Sequence, residues 1–318
     1  MTTNELRIKQ ARLTFLKTIE DGIEVAEIFL EHLWNIINDH INKPVSTYAE
    51  KDAFMINQMM FTKLTHLKKL LEGVGYTSPE GGKLNEIVDP TIISSLVRNI
   101  FETTALFNLM FRQTKSSEEM VIIYNLWSIS GLNYRQKFES SIEGEEGIER
   151  LEEEKKEIDA LTAQIKGFET YKNLEQKSKE KIDSRIEQKD FRIVFNGNKI
   201  KCYTSWQELC NVMEIKEDIA ENCYTYFSLY THPSQVAVFQ FEQMFSRQNE
   251  EFKSLTAFNL KYCFFFLSVF IADYINLFPE TLETYERLSV DKQIIIESFN
   301  SLARNRDFAI NNVLDKLE

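Results

Sequence analysis

The chain has 318 residues, 43% hydrophobic and 27% charged, which suits a soluble globular protein of one large or two modest domains. A formal net charge of −12 argues against nonspecific binding of DNA or of an anionic membrane over most of the surface. Only 10 Gly and 5 Pro interrupt it, so the helices should be long, and 24 Phe supply an aromatic core for them.

Residues 5–42 read as one amphipathic helix. Phe15, Ile19, Ile23, Ala26, Leu30, Leu33 and Ile37 recur at steps of three and four, and Lys43-Pro44 closes it. Residues 48–72 read as a second helix whose apolar face carries Met55, Met59, Met60, Leu64, Leu67 and Leu71. That methionine stripe is expected to be adaptable core. Gly73 to Asp89 reads as a polar loop. Asp89-Pro90 then caps and starts a third helix that runs to about Gln113. It is unusually apolar, yet Arg98 and Glu102 stand one turn apart on one face. A fourth helix is capped by Ser116 or Ser117 and reaches Phe138.

The segment 145–189 differs in kind. Between Glu139 and Asp190 there are 16 acidic and 10 basic residues, which is half of the net charge. Ile148, Leu151, Ile158, Leu161, Ile165 and Phe168 form a thin stripe, continued by Leu174, Ile182 and Ile186. This predicts one long exposed helix, coiled-coil-like, or a helical hairpin bending near Gly167. From Phe191 to Tyr203 the period changes to two around Asn196-Gly197, which predicts a β-hairpin. Ser205-x-x-Glu208 is a capping box for a short helix over 206–213. Helices then resume over 216–232, from Pro233 to Arg247, over 252–278 and over 291–317. The run Tyr262 to Ala272 is too short to span a bilayer, which needs about 20 apolar residues. It reads as the central helix of a bundle.

Candidate chemistry centres on Tyr224-Thr-Tyr-Phe-Ser-Leu-Tyr-Thr-His-Pro-Ser234. Tyrosine and serine hydroxyls on successive turns lead to His232, and Pro233 ends the helix. Histidine titrates nearest neutrality. With Arg98 and Glu102, the residues Tyr226, Ser228 and His232 form either a buried hydrogen-bond network that fixes helix register or a functional site. Arg304-Asn305-Arg306-Asp307 reads as a solvated face. The cysteines, Cys202, Cys210, Cys223 and Cys263, lack CxxC spacing and read as reduced packing residues. His32, His40 and His66 are scattered, so no metal site is expected. No P-loop, GxGxxG or GxSxG occurs, so no cofactor is expected either. The polar, helix-periodic N-terminus does not read as a signal peptide, and a cytoplasmic location is expected.

Arg-x-x-x-Glu in an apolar helix, followed by Tyr-x-x-Phe-Ser-x-x-x-His-Pro, resembles an uncharacterised all-helical bacterial family. That family is similar to the HEPN domains, small helical bundles of bacterial toxins, antiviral defence proteins and ribonucleases. The likeness covers about residues 90–135 and 215–278. It implies metal-independent RNA binding or cleavage, with His232 matching the family histidine. The chain departs from the ribonuclease pattern Arg-x4–6-His, because no arginine stands between Arg192 and Arg247.

The expected fold is all-α: a bundle of about eight helices formed by 1–144 and 214–318, with an insertion over 145–213 of helical arm, β-hairpin and short helix. The expected function is RNA binding or cleavage through His232, with Arg98, Glu102, Tyr226 and Ser228 placing the phosphate and orienting the imidazole. The alternative is a non-catalytic scaffold or regulatory subunit that uses 145–213 for self-association or for a protein partner. A homo-oligomer and no membrane partner are expected.

Overall fold

The structure, a computed structural model, describes residues 1–40, 43–44, 47–142, 144–247 and 250–317. It is predominantly all-α. In chain order the elements are α1 (Thr3–Phe15), α2 (Ile19–His40), α3 (Tyr48–Leu71), β1 (Val74–Thr77), β2 (Lys83–Ile87) and α4 (Pro90–Phe107). A π-helical turn (Asn108–Arg112) leads to α5 (Ser117–Gln136), α6 (Glu145–Gly167), α7 (Glu169–Lys172), α8 (Gln176–Gln188), β3 (Ile193–Asn196) and β4 (Lys199–Cys202). The remaining α-helices are α9 (Trp206–Val212), α10 (Glu217–Ala220), α11 (Cys223–Thr231), α12 (Gln235–Arg247), α13 (Glu250–Leu277), α14 (Thr281–Glu286) and α15 (Val290–Ala303).

The helices outnumber the eight expected because local caps break long periodic stretches. The stretch 5–42 divides at Leu16, whose φ of 50° is left-handed and whose N–H caps the Arg12 carbonyl. The Thr18 hydroxyl then accepts from the Asp21 N–H at 3.1 Å, while Asp21 accepts from the Thr18 N–H at 3.3 Å, so a new helix starts there. The stretch 216–232 divides at Asn222, also left-handed with φ 56°. The stretch 291–317 divides too: α15 stops at Ala303, and short 3-10 turns follow at Arg306–Phe308 and Val313–Leu317. The loop over 73–89 is in fact an antiparallel hairpin, β1 against β2, around Pro79-Glu80-Gly81. Gly81 takes a φ of 87° in that turn, which glycine adopts at no steric cost.

The chain divides into two compact units, Met1–Phe107 with Cys210–Glu318, and Asn108–Leu209. In the first, α13 is the core helix, packed by α2, α4 and α15. Phe264, Phe266, Phe270 and Tyr274 are fully buried on it. Phe29 stacks on Phe264 at 5.4 Å and Phe107 meets Phe270 edge-on at 4.8 Å, geometries that add to burial. Among the described residues one helix, within Ser254–Leu277, has the length and apolarity to cross a membrane, and 67% of its apolar window is buried. That burial is what a bundle's core helix shows. Arg304 is not part of a solvated face. It is 1% exposed and paired with buried Asp273 of α13 at 2.7 and 3.0 Å, with its Nε donating to the Met213 carbonyl at 2.7 Å.

In the second unit α5 packs against α6 and α8. The stripe over 145–189 therefore does not belong to a lone exposed helix. The chain bends at Gly167–Phe168 and again before α8, and Leu151, Ile165, Leu174 and Ile182 are buried, as are Ile122, Ile123, Leu126 and Ile129 of α5. The unit thus takes in 108–144 together with most of the segment read as an insertion. β3 and β4 pair around Gly197-Asn198, from Ile193 opposite Cys202 to Asn196 opposite Lys199. Ser178 of α8 accepts from the Ile200 N–H at 3.1 Å and so ties the hairpin to the helix. The Ser205–Glu208 capping box forms, with Glu208 accepting from the Ser205 N–H at 3.0 Å.

Two buried groups of the first unit set an expected pH response. Burial lifts the Glu297 carboxyl to about 7, against the lowering effect of its bonds from Ile310 and Ser301. Burial pushes His32 down to about 3, with both ring nitrogens lacking a hydrogen-bond partner. Folded Glu297 keeps a proton that the unfolded chain releases above 4.5, so its contribution is lost as pH rises through about 7. Folded His32 refuses a proton that the unfolded chain takes up below 6.5, so its contribution is lost as pH falls toward about 3. The two slopes cancel between 4.5 and 6.5. Glu297→Gln is therefore expected to uncover a rise in stability of about 2 kcal/mol across that window. Urea midpoints at a series of pH values check it, and an unchanged profile would show that Glu297 ionises normally.

Candidate functional site

The site is built on α4 and α11 of the first unit, which pack against each other. On α4 the apolar residues Ile93, Val97, Ile100 and Phe101 turn inward to the core. Arg98 and Glu102, at the i and i+4 positions, are left on a flanking face, 19% and 25% exposed, with Arg98 Nε 3.0 Å from Glu102 Oε1. On α11 Cys223, Phe227 and Tyr230 are the buried residues. The helix ends at Thr231, and His232 caps it in an extended conformation, its N–H on the Ser228 carbonyl at 3.2 Å. Pro233 explains the stop, since the residue before a proline is pushed out of the helical region. His232 itself is exposed.

Arg98 reaches across to α11 with both remaining nitrogens. Nη1 lies 3.4 Å from His232 Nε2, and Nη2 donates to the Tyr224 hydroxyl. The guanidinium also sits over the Tyr224 ring, 4.6 Å from its centre. Guanidinium cannot accept a hydrogen bond, so in this contact Nε2 can serve only as the acceptor. Burial raises the Tyr224 phenol, Arg98 opposes this, Glu102 adds to it, and a bond from the Ser228 side chain lowers it again. A guanidinium has five N–H groups, and these three contacts use one each. Among the described residues nothing else engages its other two N–H groups, which can meet an anion beside an imidazole whose Nε2 faces the same cation. A groove of about 310 Å³ adjoins His232, lined among others by Thr91, Tyr230, Pro233, Val238 and Phe241.

Of the residues singled out from the sequence, Arg98, Glu102 and His232 come together, and Ser228 joins them through Tyr224. Tyr226 does not. Its hydroxyl donates to Asn259 of α13 at 3.0 Å, and buried Asn259 in turn donates to Ser94 at 2.8 Å and to the Pro90 carbonyl at 3.1 Å. Burial drives the Tyr226 phenol far above its ordinary range, as expected of a packing residue that keeps its proton. Tyr224 is the member that sequence reasoning missed. A helical signal for it exists: Tyr224 and Ser228 are spaced by four on one face of α11, with the capping His232 four positions further on, whereas Tyr226 is two positions off and turns to another face. Among the described residues no three His, Cys, Asp or Glu side chains gather as a metal ion requires. No protein-family model, no curated protein and no solved structure matches this chain.

Proposed function

We propose that this protein is a HEPN-like RNA-binding or RNA-cleaving component of a bacterial toxin or antiviral defence system, acting through Arg98 and His232. The observation that supports this reading is the 3.4 Å approach of Arg98 Nη1 to His232 Nε2 at an exposed edge. On this reading Arg98 of α4 stands in for the arginine missing from the histidine's own helix. Acid–base cleavage of a phosphodiester needs a base and a cation together at the phosphate. With Arg98 Nη1 turned from the imidazole to the phosphate, His232 Nε2 would be free to take the proton of the ribose 2′-hydroxyl as that oxygen attacks phosphorus. The free N–H groups of Arg98 would meet the charge that develops on the phosphoryl oxygens. The P–O5′ bond breaks, the 5′-oxygen takes its proton from water, and the other product strand ends in a 2′,3′-cyclic phosphate. Glu102 and Tyr224 are positioning residues that hold the guanidinium. The test is incubation of labelled RNA with the wild-type protein in chelator, beside His232→Ala. Cyclic-phosphate products from the wild type alone support the reading, and a wild type that neither binds nor cuts RNA overturns it.

A second reading, a non-catalytic scaffold that self-associates or recruits a protein through the second unit, is favoured by a separate observation. Tyr134, Phe138 and Ile148 are 59%, 51% and 54% exposed, and Tyr134 and Phe138 meet edge-on at 5.8 Å. Large exposed apolar side chains that contact one another, as Tyr134 and Phe138 do, mark interaction sites. If they form a homo-oligomer contact, Phe138→Ser with Ile148→Glu should convert the assembly to monomer in sedimentation velocity. An unchanged mass would remove this patch from any assembly.

A further inference from the structure

Away from Arg98 and His232, the outer face of α3 carries a feature that neither reading uses. Met55 and Met59, which the helical period assigns to the core, are 44% and 50% exposed. With Gln58, Lys63, His66 and Leu96 of α4 they line a groove of about 410 Å³. That volume falls in the range of small-molecule sites. Its walls are predominantly apolar, and thioether side chains adapt to flexible apolar chains.

Lys63 is the unusual member. It is half-buried, and its ammonium donates to Thr103 Oγ1, a neutral group that itself donates to the Asn99 carbonyl at 2.8 Å. Among the described residues no carboxylate pairs with it. Burial pulls its pKa down, and Glu102 opposes that only from a distance, being held at 3.0 Å by Arg98. A half-buried ammonium with no carboxylate in direct contact has room for a further acceptor. One of the three ammonium N–H groups serves Thr103, and two are left for the oxygens of an anion. One cation beside an apolar wall fits one anionic head with an apolar tail. It does not fit a polyphosphate or a nucleic acid strand, which would need several cations.

We propose that the groove between α3 and α4 binds a small amphipathic carboxylate of the medium-chain fatty acid type, its head on Lys63 and its chain across Met55, Met59 and Leu96. The probe is decanoate below its micellar concentration, with decanol as the uncharged control, titrated calorimetrically into the full chain. Decanoate should saturate one site and bind more tightly than decanol. Lys63→Met keeps the apolar stem and removes the charge. It should weaken decanoate roughly ten- to hundredfold, the worth of a charge-assisted hydrogen bond, and leave decanol unchanged. In methyl-labelled protein the Met55 and Met59 resonances should move and that of buried Met110 should not. Equal decanoate affinity in wild type and Lys63→Met, shifts that spare Met55 and Met59, or no saturable binding would each overturn the proposal. If Lys63→Met fails to fold, Met59→Glu serves instead: it places a like charge at a half-exposed position, and unaltered decanoate binding there also overturns it.

Discussion

Asp273→Ala should lower the free energy of unfolding by about 3–5 kcal/mol, because it leaves the Arg304 guanidinium buried without its counter-ion. Arg304 and Asp273 side chains are 0% and 1% exposed, and two parallel bonds of 2.7 and 3.0 Å join them. Arg304 also donates to the Met213 carbonyl and lies over the Phe308 ring at 4.8 Å, so it ties the core helix α13, the end of α15 and the chain after α9 at one point. The large effect comes from stranding one charge, not from the pair's own strength. Replacing both partners, as Asp273→Leu with Arg304→Met, should therefore recover much of the loss. Urea unfolding of the single and double variants measures both. A single-variant loss below about 1 kcal/mol would mean that water reaches Arg304.

His232→Ala should behave in the opposite way. His232 is exposed and caps α11 through its backbone, so the substitution should change stability by only about 0.5 kcal/mol. On the RNA reading it should lower the rate of metal-free cleavage by roughly 10²–10⁴-fold, the worth of a positioned base. Arg98→Lys is the sharper companion. It keeps the charge but loses the fork that engages Glu102, His232 and Tyr224 at once, so it should fall nearly as far as Arg98→Ala. The double variant should then lose little beyond either single change, as residues acting as one unit do. Single-turnover cleavage measures the rates, and urea midpoints show whether folding has been disturbed. Full activity in His232→Ala would end the catalytic reading, whatever the stability of the protein.

Local rules in the sequence were enough for the helical class, the β3–β4 hairpin and the Ser205–Glu208 box, because period, turn chemistry and caps act over a few residues. The spacing of Arg98 and Glu102 likewise fixed their pairing on α4. Breaks inside periodic stretches were harder to read. The division at Leu16 depends on a left-handed residue, and a leucine there carries no glycine-like signal. Helix faces were ambiguous as well: a methionine stripe has the same period whether a neighbour covers it or not, and only packing left Met55 and Met59 outside. The approach of Arg98 to His232 spans 134 positions of sequence, and the pairing of Arg304 with Asp273 spans 31. The sequence by itself determined which side chains carry charge, hydroxyl or imidazole, and on which helices they stand. Tertiary structure alone decided that Arg98 meets Tyr224 and His232, that Tyr226 turns away to Asn259, and that Arg304 is buried. Those outcomes depend on which helix faces touch, and packing between distant segments of the chain sets that.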